Sequence, residues 1–452
     1  MQQTYSLKEK SWNLLHVLLP ILITQLSLTA TGFFDTVMSG QASQIDLAGV
    51  AIGANIWHPV FAGLNGVLIG ITPILAQLNG AGRRSEMQFV VVQGIYFAVV
   101  LAVGLIAAAS FILEPVLQVM RLEEAVSNIA LHFLMALSIG FLPLFISSVL
   151  RNFMDSLGYT HVTMVITLSA LPINIGLNYL LIFGKLGFPQ LGGVGAGYAS
   201  AITYWCIALL SITAVHYLRP FKEYNIFRRF FPLSIKTWKA QLLLGVPIGF
   251  SIFCEVSIFG VVALLMTEFG TAIIAAHQAA INFASLIYMV PLSIGMAQTI
   301  VVGFEVGAKR YRDARQYSYL GIGIAIAVAF CFAVVLLLWK EQVAGLYTKD
   351  PTLLQLTQSF LAYAIFFQLS DAIAAPIQGV LRGYKDVKVT FWLAVMSYWM
   401  IGMPTGYILA KYSLFGPYGY WIGFIAGLAV GAIALFLRLI KLQRKLDIMS
   451  GS

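Results

Sequence analysis

Residues 80–86 read GAGRRSE, and residues 307–313 read GAKRYRD, 227 positions further along the chain. A second motif recurs in a similar way, as VLRNFMD at 149–155 and VLRGYKD at 380–386. Twice the 227-residue shift is close to the full length of 452 residues. The sequence therefore predicts two similar halves joined in tandem.

The composition is that of a membrane protein. Hydrophobic residues make up 60% of the chain and charged residues only 10%, with a mean hydropathy of +0.87. Soluble domains typically carry about 25% charged residues. The three cysteines all lie in apolar runs, so they indicate no disulfide framework. A soluble enzyme, a disordered chain and a secreted disulfide scaffold are excluded.

Charged and Gly/Pro-rich breaks divide the chain into twelve apolar segments of membrane-spanning length. The predicted spans are 12–38, 47–75, 89–113, 127–150, 161–184, 194–217, 241–266, 271–300, 316–339, 354–380, 389–410 and 416–438. We therefore expect an all-α polytopic membrane protein with two six-helix lobes, 1–217 and 241–452, joined by a basic linker at 218–240. Since each half has an even number of spans, the lobes should share one orientation and be related by pseudo-two-fold symmetry.

Lys and Arg are distributed unevenly between the two sides of the predicted spans. Of the 27, 22 fall at the termini and in the loops on the same side as the termini, and 5 fall on the other side. Positive loops stay in the cytoplasm, so both termini and the linker are predicted to be cytoplasmic. The net charge of +9 is then a topology signal and indicates no nucleic-acid partner.

The linker itself allows two interpretations. It carries six basic residues and a single acid, Glu223. It is either a solvated connector between the lobes or a site for anionic lipid headgroups.

Three acids lie inside the predicted spans: Asp35, Glu255 and Asp371. A carboxylate at the bilayer centre costs about 2.5–3.5 kcal/mol on insertion scales. No Lys or Arg is predicted deep in a span, so no basic partner is expected there. The acids should face a cavity, bind a mobile cation or be protonated, unless each is a neutral, hydrogen-bonded core carboxyl.

Other polar residues in the spans are candidates for the same sites. Asn174 and Asn178 share one helix face, being four residues apart. Each such residue could equally form a helix–helix hydrogen bond. The further candidates are Tyr288 and Gln368 near the acids, Gln278, Asn55 and Asp350 as possible substrate contacts, and His58 and His277 as packing residues.

With its two six-helix halves, the segment GFFDTVMSG at 32–40, Glu255 and Asp371, the sequence resembles the multidrug and toxic compound extrusion (MATE) transporters of the bacterial NorM type. The resemblance implies export of organic cations in exchange for inward Na⁺ or H⁺. It also implies a cation site at Glu255, Asp371 and Tyr288, and a second site at Asp35, Asn174 and Asn178. In some relatives an acid stands at the position of Asn178, which weakens the case for Na⁺ at the second site.

The function expected is a secondary antiporter that works by alternating access in the bacterial inner membrane, as a monomer and with no cofactor. Na⁺, H⁺ or both are the expected coupling ions, with Na⁺ held by Glu255 and Asp371. A flippase for lipid-linked oligosaccharides is the alternative transporter, but it usually needs cationic residues in its cleft. An integral membrane transferase would need a paired acid motif or a His/Asp cluster, and a channel would not explain the repeat.

Overall fold

The computed structural model describes residues 3–450, and every regular element in that range is a helix. The helices are α1 Leu7–Ala42, α2 Gln44–Ile69, α3 Ile71–Gly80, α4 Arg84–Val119, α5 Glu124–Ser138, α6 Phe141–Ser156, α7 Thr160–Phe183, α8 Gly193–Tyr217, α9 Arg219–Lys222, α10 Ile235–Leu265, α11 Thr271–Gly307, α12 Tyr311–Gly345, α13 Pro351–Gly383, α14 Val387–Val395, α15 Met403–Tyr412 and α16 Tyr418–Ser450. A 3₁₀ turn, Met266–Phe269, follows α10, and a π-helix, Met396–Gly402, joins α14 to α15.

The helices agree with the twelve predicted spans. Within the described residues, eleven helical segments are long and apolar enough to cross a membrane. Helices α5 and α6, bent by 51° at a short break, together make a twelfth. Each predicted span falls on one of these segments, because apolar length is the property that both the sequence and the bilayer select.

The chain forms two compact units. The N-unit is Leu19–Gly249, and the C-unit combines the residues up to Leu18 with those from Phe250 onward. The unit boundaries therefore fall inside α1 and α10, whereas the sequence-based division places them at the linker. The predicted lobes, 1–217 and 241–452, stay a prediction about the repeat and do not coincide with these units.

The first turns of α1 belong to the C-unit because they are held there by an ion pair. The side chain of Lys10 is 1% exposed, and its Nζ lies 2.9 Å from the Oδ1 of Asp313. The Asn13 amide donates to the Tyr317 hydroxyl over 2.9 Å. Asp313 closes the GAKRYRD motif, whose Arg310 also pairs with the buried Glu305. The repeated motif thus has a structural role in the C-unit.

The linker is not a solvated connector along its whole length, so that interpretation is wrong for its first half. Phe221, Tyr224 and Ile226 are buried in the N-unit core. The side chain of Gln88 donates to the carbonyl of Asn225 over 2.7 Å. Burial of three large apolar side chains, each contributing about 1.5–3 kcal/mol, holds this segment against the helices.

The π-helix of the C-unit packs on a row of glycines. A Cβ at Gly427 would collide with the Ser397 carbonyl, and one at Gly423 would collide with the Gly402 carbonyl. Small residues at four-residue spacing let membrane helices approach to backbone contact. The π-turn, which repositions one side chain relative to a regular helix, is therefore supported directly by α16.

Gly427→Ala should destabilise the protein by about 1–3 kcal/mol, because the added methyl group has no space against the π-helix. Gly323→Ala is the matched control, since a Cβ there would meet nothing within 4 Å. Thermal unfolding in detergent would measure both variants. Equal melting temperatures for the two would contradict the tight packing of α16 on the π-helix.

Candidate functional site

The N-unit brings Asp35 together with three polar side chains from two other helices. The Asn178 amide on α7 donates to Asp35 Oδ1 over 2.7 Å, and the Ser200 hydroxyl on α8 donates to Oδ2 over 2.5 Å. Asn178 also donates to Asn174 Oδ1 over 3.0 Å. Both asparagines are fully buried, so the predicted group of Asp35, Asn174 and Asn178 is a single hydrogen-bonded cluster in the structure.

Glycines at the start of α8 make this cluster possible. A Cβ on Gly195 would lie 2.7 Å from the carbonyl of Leu181 on α7. Without side chains at such positions, α8 approaches α7 closely. Ser200 then comes within reach of Asn174, whose amide donates to the Ser200 hydroxyl over 3.3 Å.

The cluster satisfies an ionised Asp35 with neutral donors and leaves one acceptor free. Asn178 Oδ1 is buried and has no hydrogen-bond partner among the described residues. A buried polar atom without a partner usually costs about 1–3 kcal/mol. The cluster can therefore accept one more donor next to the carboxylate, such as a proton on Asp35 itself.

The C-unit forms a second polar group around Glu255. The hydroxyls of Tyr288 and Tyr398 lie beside the Glu255 carboxylate, close enough to interact with it. Asp371 is buried on α13, and its charge interacts with that of Glu255. The three residues predicted from sequence, Glu255, Asp371 and Tyr288, thus come together, and Tyr398 from the π-helix joins them.

The expectation that no basic residue accompanies these acids is wrong for Glu255. Arg382, at the last turn of α13, is buried, and its guanidinium interacts electrostatically with Glu255 and Tyr288. It also donates to Gln378 Oε1 over 3.4 Å. The sequence places Arg382 at a span end, but a long side chain can lie along its helix toward the interior.

A small, partly open cleft adjoins the second group within the C-unit. Asp371, Tyr288 and Gln368 contribute its polar lining, and the remaining lining residues are apolar or aromatic. Gln368 is held in place by donating to the Ala284 carbonyl over 2.9 Å. An apolar pocket with one carboxylate suits a cation that is largely hydrophobic.

The other candidates lie outside both groups. Asn55 and Gln278 are exposed on α2 and α11. Asp350 caps the start of α13, where its Oδ1 accepts from the backbone N–H of Thr352 over 2.8 Å. Their contact with substrate stays a prediction.

The prediction of a packing role is confirmed for His277 and not for His58. His277 is buried against an aromatic ring, and its Nδ1 accepts from Trp421 Nε1 over 3.1 Å. His58 is exposed on α2.

Sequence reasoning missed Ser200, Tyr398 and Arg382. Serine and tyrosine are common in apolar spans, so neither is distinctive on its own. The glycine-rich start of α8 and the glycine row of α16 were the available signals, because close helix approach marks where side chains can meet.

A duplicated set of apolar helices with buried acids defines a secondary membrane transporter. The chain matches the family model MatE over residues 20–180 and again over 247–408. The two matches begin 227 residues apart, which confirms the tandem repeat. The chain therefore belongs to the MatE family, the multidrug and toxic compound extrusion transporters, and the prediction that it is not an enzyme is confirmed.

Bacterial relatives resemble the chain from end to end. A probable multidrug resistance protein NorM of Halalkalibacterium halodurans is 56% identical over 447 residues, which cover 99% of this chain and 98% of the relative. A protein with the same name from Bacillus subtilis is 55% identical over 445 residues, or 98% of each chain. The predicted NorM-type branch is confirmed.

Solved structures confirm the predicted fold class. A crystal structure of a MATE protein in the bent conformation matches with a TM-score of 0.90 over 100% of both chains, at 20% identity. A eukaryotic MATE transporter matches with a TM-score of 0.87 at 19% identity, over 98% of this chain and 99% of that one. At such identities the likeness concerns the twelve-helix, two-lobe fold alone.

Ser200→Ala should destabilise the N-unit by about 1–3 kcal/mol, because the buried Asp35 carboxylate loses one of its two donors. Thr203→Val is the control on the same helix, since the Thr203 hydroxyl bonds only to the Ala199 carbonyl of α8. Thermal unfolding at neutral pH would compare them. A Ser200→Ala protein as stable as the control would contradict a charged, hydrogen-bonded Asp35.

Proposed function

We propose that this protein is a secondary antiporter that exports hydrophobic organic cations in exchange for inward Na⁺, H⁺ or both, by alternating access. Membership of the MatE family and the names of the NorM relatives support export of drugs. The observation that carries the mechanism is the second group, where the half-buried Glu255 and the buried Asp371 interact beside a small apolar cleft.

The C-unit group suits a monovalent metal cation. Two carboxylates close together in a low dielectric cannot both stay charged without a compensating positive charge. Arg382 supplies part of that charge to Glu255, and the charge that acts on Asp371 is that of Glu255. The carboxylate and hydroxyl oxygens of Glu255, Asp371, Tyr288 and Tyr398 are the ligand type that hard cations prefer. We infer that Na⁺ binds there.

The N-unit cluster suits a proton. Asp35 has neutral hydrogen-bonding partners, with the Asn178 amide on one carboxylate oxygen and the Ser200 hydroxyl on the other. If Asp35 is protonated, rotation of the Asn178 amide would let its free Oδ1 accept the new O–H. Because the Asn178 amide also donates to Asn174 Oδ1, the Asn174 amide would have to turn with it. The cluster can thus accommodate both protonation states by turning two amide side chains, and protonation would change how α1 and α7 are joined.

Exchange of one exported organic cation for one entering Na⁺ or H⁺ moves no net charge across the membrane. Moving a monovalent cation out against an inside-negative potential costs about 2.3 kcal/mol per 100 mV, and one entering Na⁺ or H⁺ returns the same amount. The concentration ratio of the ion then drives export. This direction assumes that both termini and the linker are cytoplasmic in the bacterial inner membrane, as the 22-to-5 distribution of Lys and Arg indicates. The proposed unit is a monomer.

No observation favours a different function. A flippase for lipid-linked sugars would need free positive charge to hold a pyrophosphate, and the guanidinium of Arg382 interacts with Glu255. A transferase has no support from the family.

Glu255→Gln and Asp371→Asn should each abolish most Na⁺-driven efflux, because each removes one charge from the proposed cation site. Tyr398→Phe keeps the ring and loses one hydroxyl, so it should weaken the apparent Na⁺ affinity several-fold while retaining transport. Efflux of a fluorescent cation from reconstituted vesicles would measure this.

Two controls match these variants. Glu341→Gln neutralises an exposed acid on α12, and Tyr363→Phe removes a hydroxyl from a ring that stacks on Tyr418. Both should transport normally. Full Na⁺-driven efflux by Glu255→Gln or Asp371→Asn would remove the C-unit group from the mechanism.

A Na⁺ gradient imposed without a pH gradient should drive efflux in vesicles, and a pH gradient alone should add a contribution that depends on Asp35. Asp35→Asn should make transport insensitive to pH while keeping the Na⁺ response, because no titrating group is left in the N-unit cluster. Glu114→Gln, an exposed acid on α4, is the control. A full response to pH with none to Na⁺ would make the protein a proton antiporter.

A further inference from the structure

The basic linker forms an open depression at the end of α8. The depression is shallow and is lined by His216, Lys222, Asn225 and Arg228 together with the apolar Val215, Ile226 and Phe227. All of these residues belong to the N-unit. The site lies in the linker region and shares no residue with either buried acidic group.

The backbone around the depression is held in place by packing and by hydrogen bonds to α4. Ile226 is 3% exposed and anchors its floor. The Asn225 carbonyl accepts from Gln88 over 2.7 Å, and further along the linker the Pro232 carbonyl accepts from Gln93 over 2.8 Å. The backbone that carries Lys222 and Arg228 is therefore fixed to α4 from two points.

The charge of the depression is not neutralised by the protein. The linker's only acid, Glu223, is engaged with Arg84, with Nη1 and Oε2 2.8 Å apart. Within residues 3–450, neither Lys222 nor Arg228 makes an ion pair. The two unpaired positive charges, carried on exposed side chains beside polar Asn225 and His216, are complementary to a phosphate group.

Large apolar side chains are exposed in the part of the chain that follows Arg228. Phe230 is 92% exposed, Leu233 67% and Ile235 83%. Phe230 and Leu233 lie in the segment between the end of the apolar helix α8 at Tyr217 and the start of the apolar helix α10, and Ile235 is the first residue of α10. Such a row beside basic residues is typical of a segment that lies at the bilayer interface.

We propose that the depression binds the phosphate headgroup of an anionic phospholipid, through Lys222, Arg228 and Asn225. Phe230 and Leu233 contact its acyl chains. The occupant is a lipid because charge complementarity and exposed apolar side chains occur on the same fixed segment, whereas a soluble phosphate would use the charges alone. The inference concerns a site separate from the antiport mechanism and does not depend on it.

The test is a titration of the full-length protein in detergent with phosphatidylglycerol, followed by native mass spectrometry. The double variant Lys222→Gln/Arg228→Gln should bind the first phosphatidylglycerol roughly 30-fold more weakly, since each basic side chain near an anionic surface contributes about 1 kcal/mol. Lys236→Gln/Lys239→Gln is the matched control, because it removes two exposed charges from the same region outside the depression. The control should keep its affinity to within a few-fold.

Three results would overturn the proposal. One is equal binding of phosphatidylcholine, and another is an equal loss of affinity in the control variant. The third is displacement of the lipid by glycerol 1-phosphate at equal concentration, which would indicate a site for soluble phosphates.

If the charge variant unfolds, Phe230→Ser/Leu233→Ser tests the apolar half of the site. This variant should weaken phosphatidylglycerol binding, and unchanged binding would contradict the acyl-chain contacts. Neither readout requires transport, so failure of the antiport proposal and failure of the lipid site can be told apart.

Discussion

A carboxylate buried among apolar helices must have partners, because hydrocarbon offers it neither water nor counter-ions. This constraint organises both units. Asp35 obtains its donors from α7 and α8, and the hydroxyls beside Glu255 come from α11 and the π-helix. In the N-unit, Gly195 lets α8 approach α7 closely, and in the C-unit, Gly427 lets α16 pack against the π-helix that carries Tyr398.

Most of the fold follows from properties that a sequence displays openly. Apolar length defines the twelve spans, and the 227-residue shift defines the repeat, because hydrophobic burial and duplication both leave linear patterns. The pairing of Asn174 with Asn178 was predictable because they lie one helical turn apart, and their association with Asp35 was implied by the family resemblance. Ser200, Tyr398 and Arg382 were not, since their roles depend on which helices are neighbours. The unit boundary inside α1 depends likewise on the ion pair of Lys10 with Asp313, which joins distant parts of the chain.

The two copies of the repeated motif have similar sequences but different structural roles. In GAGRRSE, Arg83 and Glu86 form an exposed pair 3.4 Å apart, which contributes at most about 1 kcal/mol. In GAKRYRD, Arg310 pairs with the buried Glu305, and Asp313 holds the buried Lys10. The same residue types therefore perform a minor surface function in one unit and a structural function in the other.

The acids within the spans, Asp35, Glu255 and Asp371, do not occupy equivalent positions in the two halves of the repeat. A shift of 227 residues places Val262 opposite Asp35 and Leu28 opposite Glu255, and the 231-residue offset of the VLR motifs places Gly140 opposite Asp371. Seven residues, or about two helical turns, separate Glu255 from the position equivalent to Asp35, so the two acids lie on the same face of equivalent helices but about 10 Å apart in depth, and Asp371 has no acidic counterpart. If both units performed one task, the acids would be expected to match, as the Arg and Asp of the motifs do. Their separation, a lone carboxyl with neutral donors in one unit and a carboxylate pair with hydroxyls in the other, favours two different ions acting at two sites over one ion acting at equivalent sites.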